Sequence, residues 1–240
     1  MDYMKTSDNA TIRRLDGDEE ADSRLSSFLT VASVFFIGLM FIAMSTDPVK
    51  IGVNKGEMPP NITGDARIAN SAWFSFDLHS KFNNTWDGNT TSDRWFLVEF
   101  MDTDCPYCWR DAELMSQLDQ QFGGILTTVV VVAELDITGH SSSREEIIAF
   151  QDKTDYDGCY SGNRNCAERP GGVHQGTDGN LFYYVDDLQG KSLSSWNLQG
   201  TPSCFLLRPN GLVDFNSAQD GGCDQLGGHM YELFGSGGGA

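Results

Sequence analysis

The chain of 240 residues is long enough for one domain of ordinary size with additional segments. Its 16 Lys and Arg residues against 34 Asp and Glu residues give a formal net charge of −18, which argues against a nucleic-acid-binding protein, because neutralising phosphates requires clustered positive charge. A hydrophobic content of 40% excludes a wholly disordered chain, and six cysteines are enough for redox chemistry or a few disulfide bridges.

The first predicted element is a membrane-spanning helix over residues 25–46, which carry no charged side chain. A helix that crosses the bilayer core needs roughly 20 apolar residues, whereas a buried core helix is usually shorter and amphipathic. A cleaved signal peptide is the main alternative, because Ala43 and Ser45 form a weak cleavage site. The apolar run is, however, longer than the about 7–15 residues typical of a signal peptide.

The positive charges that flank this helix predict its orientation. Arg13, Arg14 and Arg24 precede it, and Lys50 and Lys55 follow it. Because the side with more Lys and Arg usually stays in the cytoplasm, we expect a single-pass protein of the cell membrane with its N-terminus inside and its remainder extracytoplasmic. Possible glycan acceptors on the outer side add a little support, at Asn61, Asn83 and Asn89.

The pattern beyond the helix predicts an α/β domain with a mixed sheet. We expect five segments: a cytoplasmic segment at 1–24, the transmembrane helix at 25–46, a tether at 47–71, the folded domain at 72–234 and a flexible tail at 235–240. Within the domain we expect strands at 73–78, 95–101 and 125–135, a helix at 106–122, a helix from Ser142 or Ser143 to Phe150, a long loop at 153–180, a hairpin of 205–207 and 212–215, and a helix at 223–234 interrupted by Gly227 and Gly228.

A Cys-x-x-Cys motif, Cys105-Pro106-Tyr107-Cys108, stands where a buried strand is predicted to end and a helix to begin. A helix N-terminus stabilises negative charge, so it lowers the pKa of the first thiol, and the second thiol lies within reach to resolve a mixed disulfide. This pattern favours Cys105 as the attacking and Cys108 as the resolving thiol. Half of a zinc site and an inert structural disulfide are the alternatives, but the four histidines are scattered.

The chain here resembles the thioredoxin-like superfamily, on the residues from Val98 to Cys108 and on the later segment from Gly200 to Leu207. The similarity covers about residues 72–234 and is greatest to membrane-tethered thiol–disulfide oxidoreductases of the TlpA/ResA type. It implies the thioredoxin fold, a redox-active Cys105–Cys108 disulfide, no cofactor and no metal.

The resemblance also implies roles for residues around the motif. Thr201-Pro202 is expected to form a cis peptide bond that places the Thr201 backbone beside Cys105, ready to pair with an extended substrate. Glu99 corresponds to a buried acid that exchanges a proton with the resolving thiol, although a solvent-facing Glu99 is the alternative and Asp111 is the other candidate proton carrier.

Two features depart from the thioredoxin pattern. Asp104 stands where thioredoxins carry Trp, and its charge should oppose thiolate formation in Cys105. The Pro106-Tyr107 dipeptide is like that of glutaredoxins. The direction of electron flow therefore stays open.

The other four cysteines are expected to form disulfides, because bridges persist outside the cytoplasm. We pair Cys159 with Cys166 inside the Gly-rich loop, and Cys204 with Cys223 across the predicted hairpin. Two buried free thiols, or Cys204 as a third redox sulfur, are the alternatives for the second pair.

These observations predict an outward-facing, membrane-anchored thiol–disulfide oxidoreductase. Its partners would be cysteine-containing exported proteins and an electron donor or acceptor that the sequence does not identify, with no nucleic acid. Tyr107 and Trp109 would flank the dithiol and shape its docking surface, with core packing as the equal alternative for Trp109. A module that binds and delivers Cu(I) through the same thiolates, and a redox-inert binding domain, are the competing hypotheses.

Overall fold

The structure, a computed structural model, describes residues 9–45, 48–88, 93–176 and 181–235. It divides into two compact units, Met1–Val49 and Lys50–Ala240. The first unit contains helix α1 (Asn9–Ser45), whose window Arg24–Ile42 has a mean hydropathy of 2.2. The predicted apolar helix is therefore present, and by length and composition it is able to span a membrane.

The second unit contains the following helices and strands: β1 (Thr63–Arg67), β2 (Phe74–Asp77), β3 (Trp95–Met101), α2 (Pro106–Phe122), β4 (Leu126–Ala133), α3 (Arg144–Asp152), β5 (Asp157–Gly158), α4 (Cys159–Gly162), β6 (Arg164–Asn165), β7 (Phe182–Asp187), α5 (Lys191–Ser195), β8 (Ser203–Leu207), β9 (Val213–Asn216), α6 (Ser217–Asp220) and α7 (Leu226–Phe234). Single 3₁₀ turns lie at His79–Lys81, Ile137–Gly139, Cys166–Glu168 and Cys223–Gln225.

One seven-stranded mixed sheet organises this unit, in the order β2-β1-β7-β4-β3-β8-β9. Strands β3, β4 and β7 pair in parallel, and the other neighbours pair antiparallel. The run β4-β3-β8-β9, with α2 after β3, α3 after β4 and α7 after β9, is the thioredoxin fold, so the predicted fold class is confirmed.

Strand β3 lies at the centre of the sheet and is buried on both faces. Leu97 and Met101 belong to the core on the face that includes the dithiol, whereas Val98 and Phe100 belong to the core on the opposite face. Because successive side chains of a strand alternate between faces, Glu99 projects toward the dithiol side, between Leu97 and Met101. This alternation places a carboxyl group beneath the helix that carries the cysteines.

The predicted tether at 47–71 is wrong for the residues from Lys50 onward, because they belong to the second unit and contribute β1 to the sheet. The β1 sequence shows no apolar alternation, and its last residue, Arg67, is only 2% exposed. That guanidinium is buried because it donates to Asp152 at 2.7 Å and to Gln151 at 2.6 Å. Pairing with a distant acid therefore allows an arginine to be buried at the end of a polar, partly exposed strand.

Strand β7 was not predicted from the sequence, although it lies between β1 and β4. It follows the Gly-rich segment that was predicted as a loop at 153–180, and that segment itself forms the small β5–β6 sheet. The insertion after α3 thus supplies a full strand, which widens the sheet beyond the four strands of the central run.

Helix α7 runs continuously through Gly227 and Gly228, so the predicted interruption is wrong. A Cβ at Gly227 would lie 3.7 Å from Leu118 Cδ2 and 3.9 Å from Leu114 Cδ1, which are on α2. These are ordinary van der Waals distances, so α7 packs against α2 at this position, and that packing compensates for the low helix propensity of glycine.

Candidate active site

The connection from β3 to α2 is held by the carboxylate of Asp102, which is fully buried. Asp102 Oδ1 accepts from Asp104 N at 2.8 Å, and Asp102 Oδ2 accepts from Leu135 N at 2.9 Å. The backbone N–H of Cys105 donates to Asp102 O at 3.0 Å. These bonds fix the tight turn that delivers Cys105 to the start of the helix.

Cys105 is the N-cap of α2, and Pro106 follows in the first turn, where its missing N–H removes no hydrogen bond. Cys105 Sγ accepts from Cys108 N at 3.3 Å. The hydrogen bond from the Cys108 side chain is the largest cause that lowers the pKa of Cys105. Together with the backbone hydrogen bonds of Cys108 and Tyr107 and the contact with Thr201, it brings the pKa to about 6 against the opposing effect of burial. The first thiol is therefore mostly a thiolate at neutral pH.

Cys108 lies one turn further along the helix and is 1% exposed. Burial raises the pKa of its thiol well above the ordinary value, and the hydrogen bond to Cys105 acts in the same direction. Both cysteines are free thiols in this structure. The two sulfurs thus differ in the way that nucleophilic attack followed by resolution requires.

Glu99 lies in the core rather than facing solvent, with 2% of its surface exposed. Its Oε1 atom has no hydrogen-bond partner among the described residues. Burial raises the pKa of Glu99 well above its ordinary value, the charges of Asp111 and Cys105 raise it further, and the buried Arg169 guanidinium opposes the shift. Burial also raises the pKa of Asp111, which is 5% exposed.

The Thr201–Pro202 peptide bond is cis and lies against the first cysteine. Cys105 Sγ is 3.4 Å from the carbonyl oxygen of Thr201. The exposed neighbours of the cysteine on the helix side are Pro106 and Tyr107, and Tyr107 is 62% exposed. A polypeptide that reached Cys105 would therefore lie near the Thr201 backbone and the exposed Tyr107.

Trp109 is buried in the core instead of forming part of a docking surface. It is 5% exposed and packs edge-on against Phe150 and Tyr160. Of the two aromatic residues predicted to flank the dithiol, only Tyr107 is available to a partner.

Asp104 was expected to oppose thiolate formation, but both oxygens of its carboxylate are engaged. Asp104 Oδ2 accepts from His140 Nδ1 at 2.6 Å, and Asp104 Oδ1 accepts from Ser161 N at 2.6 Å. The Asp104 hydrogen bond raises the pKa of His140, which favours the imidazolium that compensates the Asp104 charge. The pKa of Cys105 is lowered despite the adjacent carboxylate.

The structure contains a disulfide between Cys159 and Cys166 and a second between Cys204 and Cys223. The first closes the turn that supplies Ser161 to Asp104. In the second, Cys204 on β8 stands opposite Glu99 on β3 in the strand register, so this disulfide lies in the same core as the dithiol.

Several buried polar residues near the site were not recognised from the sequence. Arg169 is fully buried, and its guanidinium donates to the carbonyl oxygens of Phe150 at 2.7 Å and Gly172 at 2.8 Å. Burial raises the pKa of Glu146 to about 7, and its hydrogen bond with Thr103 opposes that shift. The sequence signal for Glu146 was only the capping box with Ser143, whose Oγ accepts from Glu146 N at 3.1 Å.

A zinc site built on the dithiol finds no further ligands in the described part of the chain. The residues there that are close enough to hold a metal are Asp104, His140 and Glu146, and the set includes neither Cys105 nor Cys108.

No protein-family model and no curated protein matches the chain. It resembles the thioredoxin domain of a thiol-disulfide oxidoreductase from Bacteroides vulgatus, with 16% identity, 76% of this chain and 99% of that chain covered, and a TM-score of 0.48. It also resembles a thiol:disulfide interchange protein from Bacteroides sp., with 18% identity, 79% of this chain and 93% of that chain covered, and a TM-score of 0.45. A third similar structure is the reduced 2-Cys peroxiredoxin of Plasmodium vivax, with 12% identity, 78% of this chain and 86% of that chain covered, and a TM-score of 0.47. The fold assignment rests on the strand order of this chain.

Proposed function

We propose that the chain is a thiol–disulfide oxidoreductase that exchanges disulfides with other proteins through Cys105 and Cys108. The observation that carries this proposal is the asymmetry of the two thiols. Cys105 caps α2, accepts from Cys108 N at 3.3 Å and has a pKa of about 6, whereas burial raises the pKa of Cys108. A redox-inert pair of thiols does not require that one sulfur be ionised and the other protonated.

The reaction begins when the Cys105 thiolate attacks a disulfide of the substrate. A bond forms between Cys105 Sγ and one substrate sulfur, and the other substrate sulfur leaves as a thiolate that takes up a proton. Cys108 then loses its proton and attacks Cys105 Sγ, which releases the second substrate thiol and leaves the Cys105–Cys108 disulfide. Two electrons pass to the substrate, and the reverse sequence oxidises a dithiol.

Cys108 must be deprotonated inside the core, and the ionised form of Glu99 is the group proposed to accept its proton. The Glu99 charge raises the pKa of Cys108, so the two groups interact electrostatically across the buried space between β3 and α2. A buried carboxyl with a raised pKa is suited to exchange a proton near neutral pH. Asp111 remains the alternative carrier, because its pKa is also raised.

The proposed substrates are exported proteins whose cysteines lie in extended segments. The support is the backbone of Thr201, whose carbonyl oxygen lies 3.4 Å from Cys105 Sγ at the cis bond to Pro202. A strand bound here would place its own cysteine against Cys105 by pairing with main-chain groups.

We further propose that α1 anchors the protein in the cell membrane, with residues 1–24 in the cytoplasm and the second unit outside. The length and hydropathy of Arg24–Ile42 and the three-to-two excess of flanking positive residues support this topology. The glycan patterns support it less, because the amides of Asn61 and Asn83 donate to Asp77 and Asp93 within the fold. Asn89 lies outside the described residues.

The test is insulin reduction by the full chain in detergent, with dithiothreitol as electron source. We expect turnover, its loss in Cys105→Ser, and accumulation of a mixed disulfide in Cys108→Ser, which can attack but cannot resolve. Unchanged turnover in Cys105→Ser contradicts the proposal. Stoichiometric Cu(I) binding without turnover supports the metal-delivery alternative. A measured reduction potential decides the direction of electron flow, since about 30 mV corresponds to about 1.4 kcal/mol for this two-electron couple.

A further inference from the structure

Three side chains that the redox chemistry does not use meet beside the dithiol loop. Asp104 directly precedes Cys105, His140 lies in the connection after β4, and Glu146 lies in the first turn of α3. One ligand atom from each residue lies within 4.8 Å of the other two. Three separate segments therefore converge with donor groups that are typical of metal sites.

The carboxylate of Glu146 provides a second and independent observation. Glu146 is 1% exposed, and its Oε1 atom has no hydrogen-bond partner among the described residues. In a capping box this side chain would bond back to the N–H of Ser143. Here the carboxylate bonds to Thr103 and lies close to Asp104 and His140, and its Oε1 atom is left without a partner among the described residues. A buried carboxylate oxygen without a partner is costly, which indicates that something else satisfies it.

The surroundings carry an excess of negative charge. Besides Asp104 and Glu146, the carboxylates of Asp102 and Glu134 face the cluster, and His140 is its basic group. Asp102 accepts from the backbone N–H of Asp104, and Glu134 accepts from that of Ser142, so both carboxylates orient the segments that carry the three donors. Such a field favours a divalent cation.

We propose that Asp104, His140 and Glu146 form a binding site for a divalent transition-metal ion of the Zn²⁺ class. Asp104 Oδ2 and His140 Nδ1 are already 2.6 Å apart, and the metal would replace the proton between them. Two carboxylates and one neutral imidazole balance the charge of a divalent ion. The His140 side chain is 32% exposed, so it provides both the entry path and room for water at the remaining coordination position.

A metal at this position would tie the dithiol loop to the two segments beside it. Asp104 is bonded to Ser161 in the turn closed by the Cys159–Cys166 disulfide, and His140 and Glu146 belong to the connection between β4 and α3. The ion would therefore fix the segment that precedes the attacking cysteine, without contact with either sulfur of the dithiol.

The experiment must separate this site from the dithiol, because thiolates also bind zinc. Isothermal titration of ZnCl₂ into the untagged full chain in detergent is done in the Cys105→Ser/Cys108→Ser background. We expect binding of one ion per chain. We expect Glu146→Gln to weaken that binding by roughly tenfold or more, since loss of even an outer-shell partner costs about 10–100-fold.

Glu145→Gln is the matched control, because Glu145 is the exposed neighbour of Glu146 on the same helix. It should bind zinc as tightly as the background protein. His140→Gln is the second test variant, since glutamine loses the imidazole ligand but keeps an N–H that can donate to Asp104, and we expect it to weaken binding as Glu146→Gln does. Circular dichroism verifies that each variant is folded.

The absence of zinc binding in the dithiol-free background would overturn the proposal. Equal affinities of the Glu146→Gln and Glu145→Gln variants would overturn it too, and so would Ca²⁺ binding as tight as Zn²⁺ binding, which indicates a general acidic patch. Because the background lacks the dithiol, none of these results bears on the proposed oxidoreductase activity.

Discussion

The Cys105 thiol owes its acidity to its position at the N-terminus of α2 and above all to one neighbour. The hydrogen bond from the Cys108 side chain is the largest cause that lowers the pKa of Cys105 to about 6. After mild reduction, we therefore expect the rate of iodoacetamide alkylation of Cys105 to rise with a midpoint near pH 6. In Cys108→Ala the midpoint should move toward the ordinary thiol value of 9.0.

Mass spectrometry of the labelled peptide measures both profiles, and Cys108 itself should stay unlabelled because burial raises its pKa. A wild-type midpoint near 9, or no labelling of Cys105 at any pH, would contradict this view of the dithiol.

A second prediction concerns the proton that Cys108 must lose during resolution. In Glu99→Gln we expect the mixed disulfide to form at the normal rate but to resolve roughly 100-fold more slowly, the lower end of typical acid–base contributions. Single-turnover release of a labelled substrate peptide measures the resolution step. Asp111→Asn is the matched variant for the alternative carrier. If it slows resolution and Glu99→Gln does not, the proton passes through Asp111.

The same carboxyl group makes the fold less stable as pH rises above the ordinary pKa of a glutamate. Unfolded, Glu99 releases its proton near its ordinary pKa of 4.5, whereas burial raises its folded pKa well above that value. Above pH 4.5 the folded protein thus binds more protons than the unfolded chain, so this group lowers the free energy of unfolding as pH rises toward the folded pKa.

We expect Glu99→Gln to remove this loss. Urea unfolding should show the variant gaining stability relative to the wild type at pH 8 but little at pH 4.5. Because Glu146 acts in the same direction in both proteins, the difference between them isolates Glu99. An equal difference at both pH values would mean that folding does not raise the pKa of Glu99.

At the scale of elements, the sequence is informative where local pattern and burial agree. The continuous apolar run of β3 and the helical periodicity of α2 are apparent in the sequence, and the helix starts at Pro106 as the dithiol motif indicates. Strand β1 could not be found in this way, because its first three residues are not buried and its buried Arg67 is satisfied by side chains as distant as Asp152, 85 residues away.

The residues of the candidate site also fall into those that the sequence reveals and those that only the fold brings together. Cys105 and Cys108 are visible in a four-residue motif, and Glu99 was found by resemblance. The partners of Asp104 were not predicted, since His140 and Ser161 are 36 and 57 residues distant in sequence and only the fold brings them together. The sequence around an isolated histidine does not indicate which distant carboxylate it will contact in the folded protein.

The two disulfides are expected to contribute differently to the stability of the fold. Cys204–Cys223 links residues 19 apart, and Cys159–Cys166 links residues 7 apart. Since the stabilisation of a disulfide grows with the loop that it closes, we expect Cys204→Ala/Cys223→Ala to lose about 3 kcal/mol and Cys159→Ala/Cys166→Ala about 2 kcal/mol. Urea unfolding at constant pH compares the double variants, and a larger loss for the shorter loop would contradict the entropic account.

At the scale of the whole molecule, the negative charge of the chain and its apolar helix have opposite effects on binding to a membrane. The net charge of −18 keeps the chain soluble and disfavours acidic partners and anionic headgroups. The proposed attachment therefore depends on α1. The side of the membrane on which the second unit lies would decide whether its disulfides persist and which proteins reach Cys105.

The thiol of Cys105 is itself the probe for this topology. It is buried, but its pKa is lowered, whereas burial raises the pKa of Cys108 and the other four cysteines are bonded in disulfides. After mild reduction of intact cells that express the chain, a membrane-impermeant maleimide should label the wild type and should not label Cys105→Ser. A cysteine placed at Ser7 in the Cys105→Ser background should react only after the cells are permeabilised. The opposite pattern, with Cys105 protected until permeabilisation, would place the second unit in the cytoplasm, where its proposed substrates are absent.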